Sequence, residues 1–326
     1  MPEGDRILVV GGAGYIGSHV VKALRDSGYR PVIFDNLSTG QRVNVLSGSE
    51  FIHGDLLVPE QIRQAVQGVE GIIHLAALKA AGESMYQPER YATQNLGGTL
   101  HLLHAASEAR VPHFVFSSTA AVYGDPQYVP MDEAHPTEPV NFYGFTKLEI
   151  ERLLAWHSKL RGLHFASLRY FNAAGYDPQG EVCGLEQQPN NLLPIVLEAV
   201  MGWRPHVEVF GTDYETPDGS CIRDYIHVSD LAQAHVQALR FLEQHQSNLT
   251  LNLGTSNGLS VLEVLHAAQR LSGVEFSIKR GPRRAGDPAV VLAEASHARE
   301  VFGWVPKHSD VDTLIDSMLR VYRATR

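Results

Sequence analysis

A glycine-rich turn near the N-terminus constrains the fold of this chain more than any other feature. A short apolar run at residues 7–10 leads straight into Gly-Gly-Ala-Gly-Tyr-Ile-Gly at 11–17, and a segment with helical periodicity follows. This order is typical of a dinucleotide-binding unit, because glycine permits the tight turn and lets a pyrophosphate approach the backbone. The helix N-terminus then offers free N–H groups to the phosphates. The candidate cofactor contacts here are Gly11, Gly14, Tyr15, Ile16 and Gly17.

An acidic residue follows the turn at the spacing that such a unit needs. Asp35 closes the next apolar run, 18 residues beyond Gly17. A carboxylate at this position can accept hydrogen bonds from both hydroxyls of an adenosine ribose and would repel a 2′-phosphate. The sequence therefore favours NAD over NADP as the cofactor.

Apolar runs and helix-like segments alternate through the first half of the chain. Strands are predicted at 6–10, 31–34, 49–53, 71–76, 113–118 and 164–170, and helices at 15–27, 59–67, 95–109 and 143–159. This alternation predicts an α/β fold with a doubly wound parallel sheet of the Rossmann type. We expect residues 1–175 to form the cofactor domain, with 224–254 returning to it, and 176–326 to form a smaller mixed α/β substrate domain.

Composition excludes several classes of function. The net charge is −9 without a basic block, which argues against a nucleic-acid partner. The two cysteines, Cys183 and Cys221, and the histidines show no metal-binding spacing, so no metal site is expected. No uncharged apolar run is long enough to span a membrane, and the first apolar run is too short for a signal peptide. We expect a soluble cytoplasmic protein.

A tyrosine and a lysine carry the candidate chemistry. Tyr143 and Lys147 lie four residues apart in a helical segment and therefore share one face. Tyrosine becomes a useful base only if its pKa is lowered, and a nearby ammonium has that effect. Thr119 follows the strand at 113–118, whose carboxyl end faces the cofactor crevice. Its hydroxyl can bind a substrate hydroxyl beside Tyr143.

These motifs together resemble the extended short-chain dehydrogenase/reductase family. The shared motifs are residues 11–17, Asp-Asn at 35–36, His-Leu-Ala-Ala-Leu-Lys at 74–79, Ser-Ser-Thr at 117–119, the Tyr143/Lys147 pair and Arg-Tyr-Phe-Asn at 169–172. A more specific set is similar to the UDP-glucose 4-epimerase group of that family. Its members are Leu-Lys-Ala-Ala-Gly-Glu-Ser at 78–84, Pro-Asn-Asn-Leu at 189–192, Arg-Asp-Tyr-Ile-His-Val at 223–228 and Arg-Arg-Ala-Gly-Asp at 283–287.

The resemblance implies a reaction and a role for each matching residue. Tyr143 would take the proton of the sugar 4′-hydroxyl while hydride passes from C4 to NAD, and the 4-keto sugar would turn over and be reduced on its other face. Lys147 would hold the nicotinamide ribose and tune Tyr143, and Thr119 would shuttle the proton. The implied cofactor contacts, besides those of the glycine turn, are Asp35, Asn36, Asp55, Leu56, Lys79, Asn95, Tyr143, Lys147 and Tyr170.

The resemblance also implies a UDP-sugar site. Its implied residues are Thr119, Asn172, Asn191, Leu192, Phe210, Arg223, Tyr225, Arg284, Asp287 and Val291. Arginine forks suit a pyrophosphate, and a carboxylate can hold a ribose hydroxyl. Val291 stands where many relatives have a tyrosine that closes the sugar pocket, so we expect interconversion of UDP-GlcNAc and UDP-GalNAc as well as of UDP-glucose and UDP-galactose.

Two other functions fit the same fold. A nucleotide-sugar 4,6-dehydratase or decarboxylase is the first, but a dehydratase needs an acid and a base beside the proton-shuttling hydroxyl, and Ala120 and Ala121 follow Thr119. A non-catalytic NAD-binding sensor is the second, and it would not need Tyr143 or Lys147.

Leucines at helical spacing suggest either a core or a contact between helices. They are Leu102, Leu103, Leu148, Leu153 and Leu154. In the family the two helices that carry such residues pair across a four-helix interface, and the resemblance therefore implies a homodimer.

Overall fold

The computed structural model describes residues 4–187, 189–284 and 286–325. Ala285, the middle residue of the Arg-Arg-Ala-Gly-Asp motif, lies outside the described residues. In chain order the strands are β1 (Arg6–Val10), β2 (Arg30–Asp35), β3 (Glu50–His53), β4 (Gly71–His74), β5 (His113–Thr119), β6 (His164–Tyr170), β7 (Asn172–Ala174), β8 (His206–Phe210), β9 (Ile222–His227), β10 (Leu249–Leu253), β11 (Gly258–Ser260), β12 (Ser277–Gly281) and β13 (Val290–Val291).

Helices connect most of these strands. They are α1 (Tyr15–Asp26), α2 (Pro59–Ala65), α3 (Ala81–Ser84), α4 (Pro88–Tyr91), α5 (Gly98–Glu108), α6 (Phe142–Arg161), α7 (Leu192–Val200), α8 (Val228–His245), α9 (Val261–Ser272), α10 (Ser296–Phe302) and α11 (Val311–Ala324). Short 3-10 turns occur at Arg42–Asn44 and Ala120–Val122, and a π-helical turn, Ala92–Gly97, precedes α5.

The central sheet confirms the predicted doubly wound fold. Seven parallel strands pair in the order β10-β6-β5-β4-β1-β2-β3. Successive residues of each strand point to opposite faces. Ile7 and Val9 accordingly pack in one apolar cluster with α1 and α8, and Leu8 and Val10 pack in another with α2, α5 and α6. The sheet is covered on both sides, as continuous apolar strands require.

A smaller unit is built from short strands of distant segments. In it β9 pairs with β7, β11 and β13, while β8 pairs with β12. Helices α7, α9 and α11 cover these strands and share a separate apolar cluster with them. The segment 224–254 divides between the two parts of the molecule: β9 lies in the smaller sheet, whereas β10 extends the central sheet and α8 packs on it.

The carboxyl ends of the central strands meet along one edge. The ends of β1, β2 and β4 lie beside one another, since Val10 pairs with His74, the last residue of β4, and with Phe34, the residue before the last of β2. At the ends of β5 and β6, Thr119 pairs with Tyr170. In open parallel sheets this edge forms the ligand crevice. No helix within the described ranges is long and apolar enough to cross a membrane.

Candidate functional site

The glycine turn joins β1 to α1 with a geometry that side chains would block. Gly11 has a φ of 84°, and a Cβ on it would lie 2.7 Å from the backbone nitrogen of Ala76. A Cβ on Gly17 would lie 2.1 Å from the carbonyl oxygen of Gly11. Gly14 is the N-cap of α1 and provides no side-chain cap. The first N–H groups of α1 are therefore available for an anionic group, as a pyrophosphate site requires.

Tyr15 and Ile16 contribute to this turn through their backbone. The Tyr15 phenol donates a hydrogen bond to the carbonyl oxygen of Gly175 at 2.5 Å, and its ring packs against His19 and Tyr176. Burial raises the pKa of Tyr15. The Ile16 side chain packs against the apolar cluster beneath α1. The side chains of Tyr15 and Ile16 are thus held by other protein groups. Only their backbone N–H groups are available to a ligand at the turn.

Asp35 lies buried at the end of β2, beside the glycine turn. Its Oδ2 accepts a hydrogen bond from the Ala13 N–H at 3.0 Å, and its Oδ1 accepts one from the Leu37 N–H at 2.8 Å. Burial raises the pKa of this carboxyl, and the two N–H donors oppose that rise. A carboxylate has about four acceptor positions, so acceptor capacity remains for two ribose hydroxyls.

A second polar pair closes the same end of the sheet. Asn36 Nδ2 donates to Asp55 Oδ2 at 2.9 Å, and the Leu57 N–H donates to Asp55 Oδ1 at 2.8 Å. Leu56 lies against Gly98 at the start of α5, where a Cβ would approach the Leu56 Cβ to 2.9 Å. The three predicted contacts Asn36, Asp55 and Leu56 are therefore adjacent in space.

Asn95 and Lys79 have protein partners that the sequence analysis did not predict. The Asn95 side chain binds both the N–H and the carbonyl of Leu78, at 2.8 and 3.0 Å, and its Nδ2 also donates to Thr146 Oγ1 at 3.0 Å. Asn95 thus holds the loop after β4 in place. Lys79, at the next position of that loop, is exposed and forms an ion pair with Glu186.

Tyr143 and Thr119 meet where β5 ends and α6 begins. Burial raises the pKa of Tyr143 to about 12, and interaction with the Thr119 hydroxyl opposes that rise. Thr119 Oγ1 also accepts from the Ala121 N–H at 3.2 Å. The two side chains predicted to share the chemistry therefore lie close enough to interact.

Lys147 lies one helical turn beyond Tyr143 and is buried. Its Nζ donates to the carbonyl oxygen of Ser117 at 2.7 Å and lies 4.7 Å from the centre of the Phe116 ring. Burial lowers the pKa of Lys147 to about 7, and the nearby carboxylate of Glu151 opposes that shift. Any added negative charge beside Lys147 will raise its pKa and favour the ammonium form.

Several residues that position Tyr143 and Lys147 were missed in the sequence. The Tyr143 N–H donates to Ser84 Oγ at 3.0 Å, and Asn141 caps α6 by accepting from the Gly144 N–H at 2.8 Å. Glu151 pairs with buried Arg169 at 2.6 Å. Glu151 lies four residues after Lys147 on the same helix face, and that spacing could have identified it. Ser84 is the last residue of the motif at 78–84, which gave it no role of its own.

A cavity of about 410 Å³ lies in the smaller unit, where residues of β7, α7, β8 and β9 and of the segment between β12 and β13 line it. Its lining contains eight of the predicted substrate residues: Asn172, Asn191, Leu192, Phe210, Arg223, Tyr225, Arg284 and Asp287. Asn172 begins β7, two residues after Tyr170, which pairs with Thr119, so the chain leads directly from the strand ends that carry Thr119 and Tyr170 to the cavity. Arg204 and His206 also line it, and no motif or spacing in the sequence indicated them.

The cationic groups of the cavity are held by protein partners. Arg223 forms an ion pair with Asp287 and donates to the carbonyl oxygen of Ile222 at 2.8 Å. The Arg284 guanidinium lies 3.8 Å from the centre of the Phe210 ring, within the range of a cation–π contact. Arg223 and Arg284 can therefore present two guanidinium groups to one anionic ligand.

Val291 lies at the edge of the small sheet, where β13 pairs with β9. It is half-buried and packs against the cluster that contains Val122, Tyr123 and Leu148, together with Ala120 and Phe171. Ala120 directly follows Thr119, so Val291 is near the Thr119 end of the crevice. It is not among the residues that line the 410 Å³ cavity.

Comparison with known proteins identifies close relatives. A family model described as "NAD dependent epimerase/dehydratase family" matches residues 7–254. The chain is 41% identical over 313 residues to a UDP-glucose 4-epimerase of Lacticaseibacillus casei, with 95% of each chain covered. It is similar to the crystal structure of a UDP-glucose 4-epimerase from Brucella ovis in complex with NAD, at 42% identity, 98% coverage of both chains and a TM-score of 0.95.

A further solved structure bears on the range of sugars. The chain is 35% identical to the UDP-Glc/GlcNAc 4-epimerase of Campylobacter jejuni, with 98% of this chain and 100% of that chain covered and a TM-score of 0.87.

Proposed function

Because the chain belongs to the NAD-dependent epimerase/dehydratase family, we propose that it interconverts UDP-glucose and UDP-galactose by inverting the configuration at C4 of the hexose. It is an NAD-dependent epimerase, and named UDP-glucose 4-epimerases share about two fifths of its residues over nearly its whole length. The observation that carries the proposal is the pairing of Tyr143 with Thr119 at the end of the central sheet, together with a cavity of the smaller unit that three arginines line.

The residues of this chain divide the work at C4. Bound NAD supplies an acceptor for hydride that can also return it. Tyr143, as phenolate, takes the proton of the 4′-hydroxyl, and Thr119 bridges the phenol and that hydroxyl. When the ketone has turned its other face to the cofactor, Tyr143 gives the proton back to the same oxygen. No net proton or electron is exchanged with solvent in this cycle.

Lys147 adjusts Tyr143 to this task. In the cofactor-free chain burial opposes the charged forms of both groups, so the pKa of Tyr143 is raised and that of Lys147 is lowered. An ammonium close to Tyr143 favours the phenolate, and so would the positive charge of an oxidised nicotinamide ring. We propose that cofactor binding itself activates the base.

The binding residues fit the two ligands of the reaction, the dinucleotide and the UDP-sugar. The free N–H groups of α1 and the acceptors of Asp35 suit the pyrophosphate and ribose of a dinucleotide. Lys79 would exchange Glu186 for a cofactor phosphate, and Asn95 would act by holding the Lys79 loop. On the sugar side, Arg223 and Arg284 would hold the UDP pyrophosphate, and Asp287 a ribose hydroxyl.

We propose a second substrate pair, UDP-GlcNAc and UDP-GalNAc. Val291 is small for a position beside the Thr119 end of the crevice and leaves room for an acetamido group at C2. The relative from Campylobacter jejuni, which is named for both UDP-Glc and GlcNAc, supports this range.

We also propose that the chain forms a homodimer through α5 and α6. The sequence allowed Leu102, Leu103 and Leu154 to be either core or interface residues. All three are buried within the chain. The exposed large apolar side chains of these helices are instead Leu100, Phe145, Trp156 and Leu160, each between 39% and 63% exposed. Light scattering of the wild type and of Leu160→Glu tests this: a dimer that the substitution dissociates is expected, and a wild-type monomer would refute it.

The activity is tested with UDP-galactose that carries deuterium at C4. Purified protein without added NAD is expected to form UDP-glucose that retains the deuterium at C4, because hydride returns to the carbon that it left. Loss of deuterium to solvent, or a dehydrated product, would contradict C4 epimerisation and favour the dehydratase reaction. Absence of any turnover would favour a non-catalytic NAD-binding protein.

A further inference from the structure

Lys147 and Glu151 lie one turn apart on the same face of α6, and both side chains are buried. A buried ammonium and a buried carboxylate at this spacing attract each other, because little water screens their charges. Lys147 Nζ instead donates to the carbonyl oxygen of Ser117 at 2.7 Å. Among the residues that the structure describes, Lys147 forms no ion pair with Glu151 or with any other carboxylate.

The carboxylate of Glu151 is bound by the strands beneath α6. Its Oε1 accepts hydrogen bonds from Ser118 Oγ at 2.5 Å and from Arg169 Nε at 3.0 Å, and its Oε2 accepts one from Arg169 Nη2 at 2.6 Å. Two N–H groups of one guanidinium thus bind two oxygens of one carboxylate, a geometry that the fork of arginine provides. Both oxygens of Glu151 are therefore engaged by groups other than Lys147.

Arg169 is held in place by a second buried side chain. Its Nη1 donates to the phenol oxygen of Tyr123 at 3.1 Å, and its guanidinium lies 5.0 Å from the centre of that ring. The Tyr123 phenol in turn donates to Asn252 Oδ1 at 2.6 Å. Glu151, Arg169, Tyr123 and Asn252 are all buried. Arg169 cannot leave Glu151 without exposing an unpaired charge to the interior, and such a charge is costly.

The electrostatic effect of Lys147 on Tyr143 depends on the partner of Glu151. An ammonium bound to a carboxylate keeps its proton, but the two opposite charges largely cancel at a neighbouring group. A Lys147–Glu151 ion pair would therefore do little to stabilise a Tyr143 phenolate. With Glu151 bound by Arg169, the charge of Lys147 is not cancelled, and Nζ remains at the Ser117 carbonyl oxygen near the end of β5.

We propose that Arg169 is a positioning residue: by binding both oxygens of Glu151 it prevents a Lys147–Glu151 ion pair and leaves the charge of Lys147 available to Tyr143. This inference rests on the proposed function, because it concerns how the base is stabilised. Other titratable groups surround these side chains and come from α6, β6, β4 and the segment between β5 and α6. They are Tyr143, Tyr170, His74, Tyr123 and Glu133.

The first test follows Lys147 in the cofactor-free protein and needs no activity. The Cε resonance of Lys147 is titrated by NMR in protein with isotope-labelled lysine, and it is assigned by its absence in Lys147→Met. In Arg169→Met we expect the pKa of Lys147 to rise by about one unit or more, because the released Glu151 carboxylate pairs with it. In Arg169→Met/Glu151→Gln this rise should disappear.

The matched control for this titration is Arg152→Met. Arg152 pairs with Glu149 on the same helix, but the pair is more exposed, so its loss should leave the pKa of Lys147 unchanged. Two results would overturn the proposal. One is an unchanged pKa of Lys147 in Arg169→Met, and the other is a rise that persists when Glu151 is uncharged.

The second test follows turnover of UDP-galactose as a function of pH. Arg169→Met should lower kcat on the order of tenfold with KM within about twofold, and should move the rising limb of the kcat profile to higher pH. Adding Glu151→Gln should restore kcat to within about threefold of the wild type and return the limb to its place. A purely structural role for Arg169 predicts no such rescue, and its absence would refute the proposal.

Failure of the proposed function would be recognised separately. If the wild type does not turn over UDP-galactose, that function fails, whereas the NMR titration still decides whether Arg169 controls the partner of Lys147. Removal of one member of a buried ion pair can prevent folding. If Arg169→Met does not fold, Arg169→Lys keeps a cation but lacks the fork of donors, and it should raise the pKa of Lys147 by about half a unit. A wild-type titration of Lys147 in Arg169→Lys would then overturn the proposal.

Discussion

Gly144 packs directly against the carbonyl oxygen of Ala121, and a Cβ on Gly144 would lie 2.4 Å from that oxygen. This close approach brings the first turn of α6 against the end of β5 and lets Tyr143 reach Thr119. We expect Gly144→Ala to displace Tyr143 and to lower kcat on the order of 10²-fold, because small misplacements of reacting groups are costly. Gly82→Ala is the control, since a Cβ there meets nothing within 4 Å. Equal kcat in the two variants would contradict the packing argument.

Asp35 should decide the choice between NAD and NADP. Removing its carboxylate in Asp35→Ala deletes two acceptors for ribose hydroxyls, and we expect NAD to bind roughly 10- to 100-fold more weakly, with discrimination against NADP reduced. Calorimetric titration of the cofactor-free protein with both dinucleotides measures this. Asp55→Ala is the comparison variant and should weaken both cofactors alike. Unchanged selectivity in Asp35→Ala would place the ribose elsewhere.

Lys147 should make the stability of the cofactor-free protein depend on pH. Its pKa falls from an ordinary value of 10.5 to about 7 on folding, so between these values the unfolded chain holds a proton that the folded chain lacks. The free energy of unfolding should therefore rise with pH over this range, by up to about 1.4 kcal/mol per pH unit from this group.

Urea unfolding at pH 7 and pH 9 checks the Lys147 prediction. The unfolding free energy of the wild type minus that of Lys147→Met should increase from the lower to the higher pH. Lys159→Met, at an exposed position of the same helix, should show no such growth. A pH-independent difference for Lys147→Met would mean that Lys147 keeps its proton on folding.

Val291 should control the size of the sugar that the site accepts. Val291→Tyr adds a large ring beside Ala120 and Phe171, and we expect it to suppress turnover of UDP-GlcNAc while UDP-galactose is still converted. Both substrates are assayed with each variant. An equal loss on both, or no turnover of UDP-GlcNAc by the wild type, would refute the pocket argument.

The sequence predicted the central sheet because each of its strands carries its own signal. Strands β1 and β6 have the predicted bounds, and their apolar residues are buried on both faces. Much of the glycine turn is local as well, since Gly11 has a positive φ and Gly17 is required by its contact with Gly11.

The smaller sheet could not be predicted in the same way. Strands β7, β11 and β13 have only two or three residues, and each pairs with β9 from a distant part of the chain. The sequence analysis placed the whole segment 224–254 with the central sheet, but β9 at its start belongs to the smaller sheet. Such short strands have no periodicity of their own and form only where the rest of the fold brings them together.

The residues that individual site residues contact within the protein also could not be predicted from the sequence. The motif indicated Asn95 and Lys79, but it could not show that Asn95 binds the Leu78 backbone or that Glu186 pairs with Lys79. These contacts join segments 17 and 107 residues apart. Local spacing identifies which residue type the chemistry needs, whereas the tertiary fold decides what each side chain touches.

The role of Tyr143 as the base is tested most directly by the turnover of Tyr143→Phe with UDP-galactose. The substitution removes the phenolic oxygen and keeps the ring, so we predict an unchanged fold and unchanged NAD content with kcat lower by a factor on the order of 10² or more. Conversion at the wild-type rate by this variant would contradict the account, because another group would then have to move the proton of the 4′-hydroxyl.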